Sequence, residues 1–355
     1  MIEKLFWIPF VISAVIAYAS TPIVIRFAWK VGLIDDPIKN KHPKKLHTTP
    51  IPRAGGIAIA IAIIVSSMLL LPLDKHLLGI LSGVIFLGIV GVLDDKYEIH
   101  PLVRLLLQFV GASMPIVAGI GISFIANPLT GGLIDLSHPQ LVFELFGDTK
   151  SIWILSDIFA LFWIVTLMNA LNMSANGVEG QLPGVTTVAA LTVGILSLQY
   201  SADIAEWPII ILASITAGAF LGFLPFNAHP QKIMPAFSGA MIAGFMLGVL
   251  SILTTAKVGI LLIVLAVPLI DIGYTIIRRL SQGKMPFWGD RGHLHHKLLD
   301  NGLSTKQVSL LYWAITAVLG IWALYLNTTS KLYTIIGLVL VFVLLFLWLT
   351  YRKTK

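Results

Sequence analysis

Cysteine is absent from the 355 residues, which rules out disulfides, a thiolate nucleophile and thiolate metal sites together. Charge is nearly as scarce. Only 12% of the residues are Asp, Glu, Lys or Arg, against roughly 25% in soluble domains, while 57% are hydrophobic. That balance excludes an ordinary soluble monomer. Strands of alternating polar and apolar residues are also lacking, so segments that enter lipid must satisfy their backbone as helices, and the expected fold class is all-α.

What the chain does have is a succession of apolar runs bounded by polar or Pro/Gly-rich stretches. A bilayer core takes about 20 such residues per helix, and about eleven candidate spans result. They cover 5–28, 55–73, 77–93, 104–125, 152–170, 185–200, 206–224, 237–254, 258–277, 308–326 and 332–350, with edges good to about two to four residues. Residues 1–355 thus read as one integral-membrane domain. Ala17-Tyr18-Ala19 has the form of a signal-peptidase site, but the start Met1-Ile2-Glu3-Lys4 lacks a basic excess and the apolar run continues to Trp29. A retained first helix is expected.

The formal charge of +7 is informative through its distribution. With an outside N-terminus, every Lys and Arg except Lys4, Lys75, Lys150, Lys257 and Lys331 falls on one side, together with the chain end. The positive-inside rule makes that side cytoplasmic. No nucleic-acid partner is expected. The cytoplasmic loops are 30–54, 94–103, 169–184, 225–236 and 278–307, and they also hold eight of the 17 acids, seven of the nine histidines and the turn motifs. Topology alone accounts for the basic residues, but not for that second enrichment.

The first of these loops combines Lys39, Lys41, His42, Lys44, Lys45 and His47 with Pro50-Ile51-Pro52-Arg53-Ala54-Gly55-Gly56 at a helix start. Such a segment suits a phosphate, through its cations and glycine backbone, or equally a lipid headgroup. Asp94 and Asp95 then close a hydrophobic run. Adjacent carboxylates there either bind a divalent cation or a proton, or merely solvate a helix end. The string from Asn169 through Asn172, Asn176 and Glu179 to Gly180 reads by itself as a loop. Pro225-Phe226-Asn227 and Lys232 follow, then Asp271 inside the ninth span, a site by default because an acid in lipid is costly. Most specific is Asp290-Arg291-Gly292-His293-Leu294-His295-His296. Its histidines suit hydrogen bonding to phosphate or sugar oxygens better than a closed zinc site.

Taken in order, these motifs resemble the polyprenyl-phosphate N-acetylhexosamine-1-phosphate transferases over nearly the whole chain. About eleven spans and the Arg-x-His-Leu-His-His string are more similar to the GlcNAc-1-phosphate branch than to the phospho-MurNAc-pentapeptide translocases. The resemblance implies transfer of a HexNAc-1-phosphate from a UDP-sugar to undecaprenyl phosphate at the cytoplasmic face of a bacterial inner membrane, releasing UMP. It also implies Mg²⁺, with Mn²⁺ as the alternative, and a membrane lipid as partner; a homodimer is compatible with it. Asp94, Asp95 and Asp271 take the catalytic places, and Lys45, His47, Arg53, Asn169, Asn172, Asn176, Glu179, Asn227, Lys232, Arg291, His293, His295 and His296 the substrate-binding ones.

Two departures stand out. In the family the fifth loop carries two aspartates where this chain has Asn176 and Glu179, and the eighth span opens with a metal-ligating Asp where this chain has Phe237. The expectation is a rebuilt metal site on Asp94, Asp95 and Glu179, with Asp271 nearby. The alternatives are a catalytically impaired relative that only binds polyprenyl phosphate or a partner and, further off, a transporter, for which midplane polar residues and internal repeats are lacking.

Overall fold

The computed structural model describes residues 3–38, 47–127, 129, 130, 132–145, 148–254, 257–285 and 290–351. Lys45, its neighbours from Lys39 to Lys44, and Pro286–Gly289 of the histidine string lie outside them. After a π-helical turn at Glu3–Trp7 come α1 (Ile8–Val31), α2 (Gly55–Leu70), α3 (Lys75–Tyr97), α4 (Pro101–Val117), α5 (Ile154–Ser174), α6 (Gln181–Leu198) and α7 (Trp207–Asn227). They are followed by α8 (Ala236–Leu253), α9 (Lys257–Val264), α10 (Ala266–Ser281), α11 (Leu294–Asp300), α12 (Thr305–Ala323) and α13 (Thr328–Tyr351).

Every expected apolar span falls on these helices, apart from the end of the fourth beyond Val117. Among the described residues eight are long and apolar enough to cross a membrane, α9 and α10 form a ninth span if a pair bent by 80° is counted as one, and α2 and α4 are shorter apolar helices. The bend has a local cause: Pro268 has no N–H to offer the carbonyl of Val264, where α9 stops.

Helix ends follow caps rather than polarity. The apolar window of α3 fades at Asp94, yet the helix runs on to Tyr97 and ends at Glu98 in the left-handed region with φ 52°. For the same reason Asn169–Ser174 belong to α5 and Pro225–Asn227 to α7, not to open loops. α4 stops at Val117, short of the expected 125, where Pro115 and Gly119, at φ +100°, break the ladder.

The expectation that strands are lacking is corrected between α4 and α5. There β3 (Phe124–Ala126) pairs antiparallel with β4 (Leu133–Asp135), and β5 (Gln140–Leu145) with β6 (Asp148–Trp153). These short runs flank the turn residues Asn127 and Pro139, and they alternate too weakly to stand out by polarity. Earlier, β1 (Ile34–Asp35) pairs with β2 (Ile51–Pro52), which brings the ends of the first loop together.

α8 is the axis of the bundle, buried along almost its whole length between α3 and α5. Lipid gives no hydrophobic drive between helices, so close approach through small residues must hold them. A Cβ on Gly91 of α3 would stand 2.3 Å from the Ser238 Cα, and one on Gly244 of α8 would stand 2.3 Å from the Met168 Cα. Only glycine at Gly91 lets the end of α3 lie against the start of α8, and the candidate site is built on that contact.

Candidate active site

Consecutive residues on a helix point about 100° apart, so Asp94 and Asp95 cannot face the same way. Asp95 turns inward. Its carboxylate accepts the Phe237 N–H at 2.9 Å, the Ser238 N–H at 3.3 Å and the Ser238 hydroxyl at 3.0 Å, and Arg53 lies 3.5 Å away. It therefore closes the open amides at the positive end of α8. Asp94 turns outward to Arg104, 3.2 Å from its Nη1.

Arg53 is fixed by backbone. Its N–H donates to the Leu33 carbonyl at 2.9 Å, and it bridges in parallel to Met234 just before α8. Arg104, in the first turn of α4, lies 4.6 Å from the centroid of the Phe237 ring. A guanidinium over an aromatic face beside a carboxylate is held in orientation and partly dried.

These groups wall a cavity of about 410 Å³, lined also by Asp35, His47, Asn172, Asn176 and Glu179. A second cavity, of about 280 Å³, shares Arg104, Asn172, Asn176 and Gly177 with the first and adds Asn169, Arg279 and the three histidines. Together they form a polar recess at one end of an apolar bundle.

The histidine string reaches the recess through a second capping carboxylate. Asp271 is fully buried in α10 and accepts the Leu294 N–H at 3.2 Å, with His293 Nδ1 at 3.3 Å. It anchors the start of α11, so that His295 and His296 project from the first turn. Arg279 Nη2 lies 3.3 Å from His293 Nε2 and donates to Asp290 at 3.2 Å. His295 packs so closely on Gly177 that a Cβ there would meet its Nε2 at 2.1 Å.

Asp290 outlines a pH effect. Burial raises its pKa, but hydrogen bonds from Arg279 and the Gly292 N–H, with the charges of Arg278 and Arg279, outweigh this and hold the carboxyl well below its usual range. A depressed folded pKa stabilises the fold in full above the unfolded value of about 4 and loses that contribution as pH falls through the folded value. Asp290→Asn is therefore expected to lower the unfolding temperature in micelles at pH 7, and the gap to the parent to close below about pH 4. A gap that is constant with pH would refute the linkage.

The remaining expected site residues divide. Asn172, Asn176, Glu179, His47 and Arg53 line the first cavity; Glu179 pairs with His229 Nδ1 at 2.7 Å and His47 lies 3.7 Å from Asp35. Asn169 shares its amide with Gln108, donating at 2.7 Å. Three do not reach the recess. Asn227 is buried and spent on backbone, accepting from the Gly180 N–H and donating to the Ile233 carbonyl, both at 2.9 Å. Lys232 is exposed on the following turn, and Arg291 pairs with Asp300 at 2.8 Å in a separate pocket. Arg104, Gln108 and Arg279 were not foreseen. The available signal was their cost: polar groups within a turn or two of an apolar run require partners.

Mg²⁺ asks for near-octahedral oxygen coordination. The residues present do not fit a resident ion: Asp95 and Asp271 are turned to helix N-termini, Glu179 to His229, and Asp94 to Arg104. Among the described residues no three His, Asp or Glu side chains converge as a metal group. Phe237→Asp, a carboxylate in the first turn of α8 where the helix dipole favours it, is expected to raise Mn²⁺ affinity at least about tenfold by electron paramagnetic resonance. Equal affinity in parent and variant would show that the parent already holds the ion.

Known proteins are similar to this chain in sequence. The chain is 28% identical over 330 residues, 91% of its length and 85% of the relative's, to a probable undecaprenyl-phosphate N-acetylglucosaminyl 1-phosphate transferase of Bacillus subtilis. It is 26% identical, over 93% of its length and 85% of the relative's, to a decaprenyl-phosphate N-acetylglucosaminephosphotransferase of Mycobacterium tuberculosis. A phospho-N-acetylmuramoyl-pentapeptide-transferase of Moorella thermoacetica is 26% identical, over 90% of this chain and 98% of the relative. The family model for glycosyl transferase family 4 matches residues 77–255, from the start of α3 past the end of α8, the stretch that carries Asp94, Asp95, Arg104 and the α5 asparagines. With motif order, recess and family match in agreement, the chain belongs to glycosyl transferase family 4.

Proposed function

We propose that this protein transfers GlcNAc-1-phosphate from UDP-GlcNAc to undecaprenyl phosphate at the cytoplasmic face of a bacterial inner membrane. The observation that carries the reading is the recess itself: Arg53, Arg104, Asn172, Asn176 and the histidines converge at one end of an apolar bundle. A lipid-borne phosphate and a water-borne nucleotide sugar can meet there. The names of the relatives supply the sugar and the lipid.

In the transfer, a phosphate oxygen of the acceptor attacks the β-phosphorus of the donor. The new P–O bond forms as the bond to the α–β bridging oxygen breaks, and UMP leaves with that electron pair. A phosphate monoester, with its second pKa at about 6, is already mostly ionised at neutral pH, so no strong base is needed. What the chain must supply is in-line placement and charge compensation. Arg53 and Arg104 face the diphosphate, the asparagine amides donate to its oxygens, and His295 and His296 orient sugar or phosphate from α11. Asp94 holds Arg104 in place, and Asp95 holds the start of α8.

The test uses purified protein in detergent with undecaprenyl phosphate and radiolabelled UDP-GlcNAc, with Mg²⁺, Mn²⁺ or EDTA. Label is expected to enter a butanol-extractable lipid, and UMP to appear in equal amount. Phe237, in place of a ligating acid, favours a second reading in which the protein binds the lipid without turnover. Stabilisation by undecaprenyl phosphate with no labelling from any UDP-sugar would establish that one instead.

A further inference from the structure

A pocket of about 280 Å³ lies outside the recess, at the C-terminal ends of α10 and α13. Arg278, Lys284, Arg291 and Lys297 line it, and among the described residues Asp290 and Asp300 are its only carboxylates. Arg278 pairs with Asp290 and Arg291 with Asp300, both at 2.8 Å or less, and four basic side chains line the pocket against two acids. None of the proposed chemistry uses them, and Arg291, expected from the sequence to bind substrate, is turned into this pocket rather than the recess.

Beside it runs a different surface. A groove of about 480 Å³ separates α10 from α13 and is almost wholly apolar, lined by Ile270, Tyr274, Ile277, Val339 and Val343. The two meet at one point. Tyr274 stacks on Phe346 at 4.4 Å, and the Lys297 ammonium lies 5.8 Å from each ring centroid. Tyr274 lines the groove and Lys297 the basic pocket, so a cationic cup stands next to an apolar trough, with the stacked rings between them. α10 is bent by 80° relative to α9, and the trough lies between α10 and α13.

We infer that this joined pocket and groove binds an anionic phospholipid of the surrounding bilayer, its phosphodiester headgroup in the basic cup and an acyl chain between α10 and α13. A zwitterionic lipid brings no net charge, whereas an anionic one gains from each juxtamembrane Lys or Arg it meets. The acceptor's phosphate has its own place in the recess, which Arg279, Asp290 and His293 separate from the cup. On the transfer reading the site is structural or regulatory; the binding of lipid there stands apart from that reading.

Gly273 offers a clean probe. It lines the groove, and a Cβ built on it meets nothing within 4 Å, so the side chain of Gly273→Leu starts into open space and narrows the trough. Delipidated protein in detergent would be titrated with phosphatidylglycerol, phosphatidylcholine or undecaprenyl phosphate, and bound lipid counted by native mass spectrometry. Phosphatidylglycerol is expected to bind about tenfold more tightly than phosphatidylcholine. Lys284→Glu with Lys297→Glu should bring the two lipids to parity, and Gly273→Leu should weaken both. Equal binding by the parent, a preference that survives the charge reversals, or displacement of phosphatidylglycerol by undecaprenyl phosphate in a manner sensitive to Gly273→Leu would each overturn the inference.

Discussion

Asp95→Ala is expected to abolish measurable transfer and to cost about 3–5 kcal/mol of stability, the range for removing one partner of a buried ion pair. Nothing else in the described structure reaches the Phe237 and Ser238 amides in its place, and the Arg53 guanidinium 3.5 Å away would lose the carboxylate that faces it. Loss of a helix cap alone costs about 1 kcal/mol, so the greater part of the effect comes from Arg53. Asp95→Asn keeps an acceptor for the α8 amides and removes the charge. It should fall between parent and alanine in unfolding temperature, while transfer drops about 10²-fold as Arg53 drifts. Thermal unfolding in micelles beside the lipid-labelling assay separates the roles. An alanine variant that is inactive yet as stable as the parent would place Asp95 on the reacting groups instead of on α8.

That prediction marks where sequence stops being legible. The positions of the apolar helices could be read because an apolar run is a local property, set by bilayer thickness and written residue by residue. The Asp94-Asp95 pair stood out as a candidate site because acids at the end of an apolar helix are costly. Which acid faces which way could not, because that depends on the approach of α8, which in turn rests on Gly91 meeting Ser238. Asp271 is the same case: its capping of α11 is a contact across 23 positions, and no periodicity records it. Arg104 was visible only as one more basic residue, since the Phe237 ring that gives it a role lies on a distant helix. The short hairpins between α4 and α5 escaped because paired strands of three to six residues carry little pattern of their own.

Gly177→Ala tests the recess from the other side and is expected to lower transfer about 10²-fold while leaving the fold nearly intact. The added methyl would stand 2.1 Å from His295 Nε2, 2.4 Å from its Cδ2 and 2.5 Å from its Cε1, so the imidazole must move. No backbone atom is among those nearest contacts, and a side chain that can rotate yields more cheaply than a helix. The displacement is confined to the wall shared by the two cavities, where Gly177 faces both. His295→Ala should lower transfer by a similar factor, because it removes the ring that Gly177→Ala only pushes aside. Combining the two gives the decisive comparison: if both act through one imidazole, the double variant loses no more than either single one, and the coupling energy is about 2–3 kcal/mol. Additive losses would mean that Gly177 matters for its own backbone, through the Gly177 N–H that donates to Gln181 Oε1 at 3.1 Å, and that His295 works independently of it.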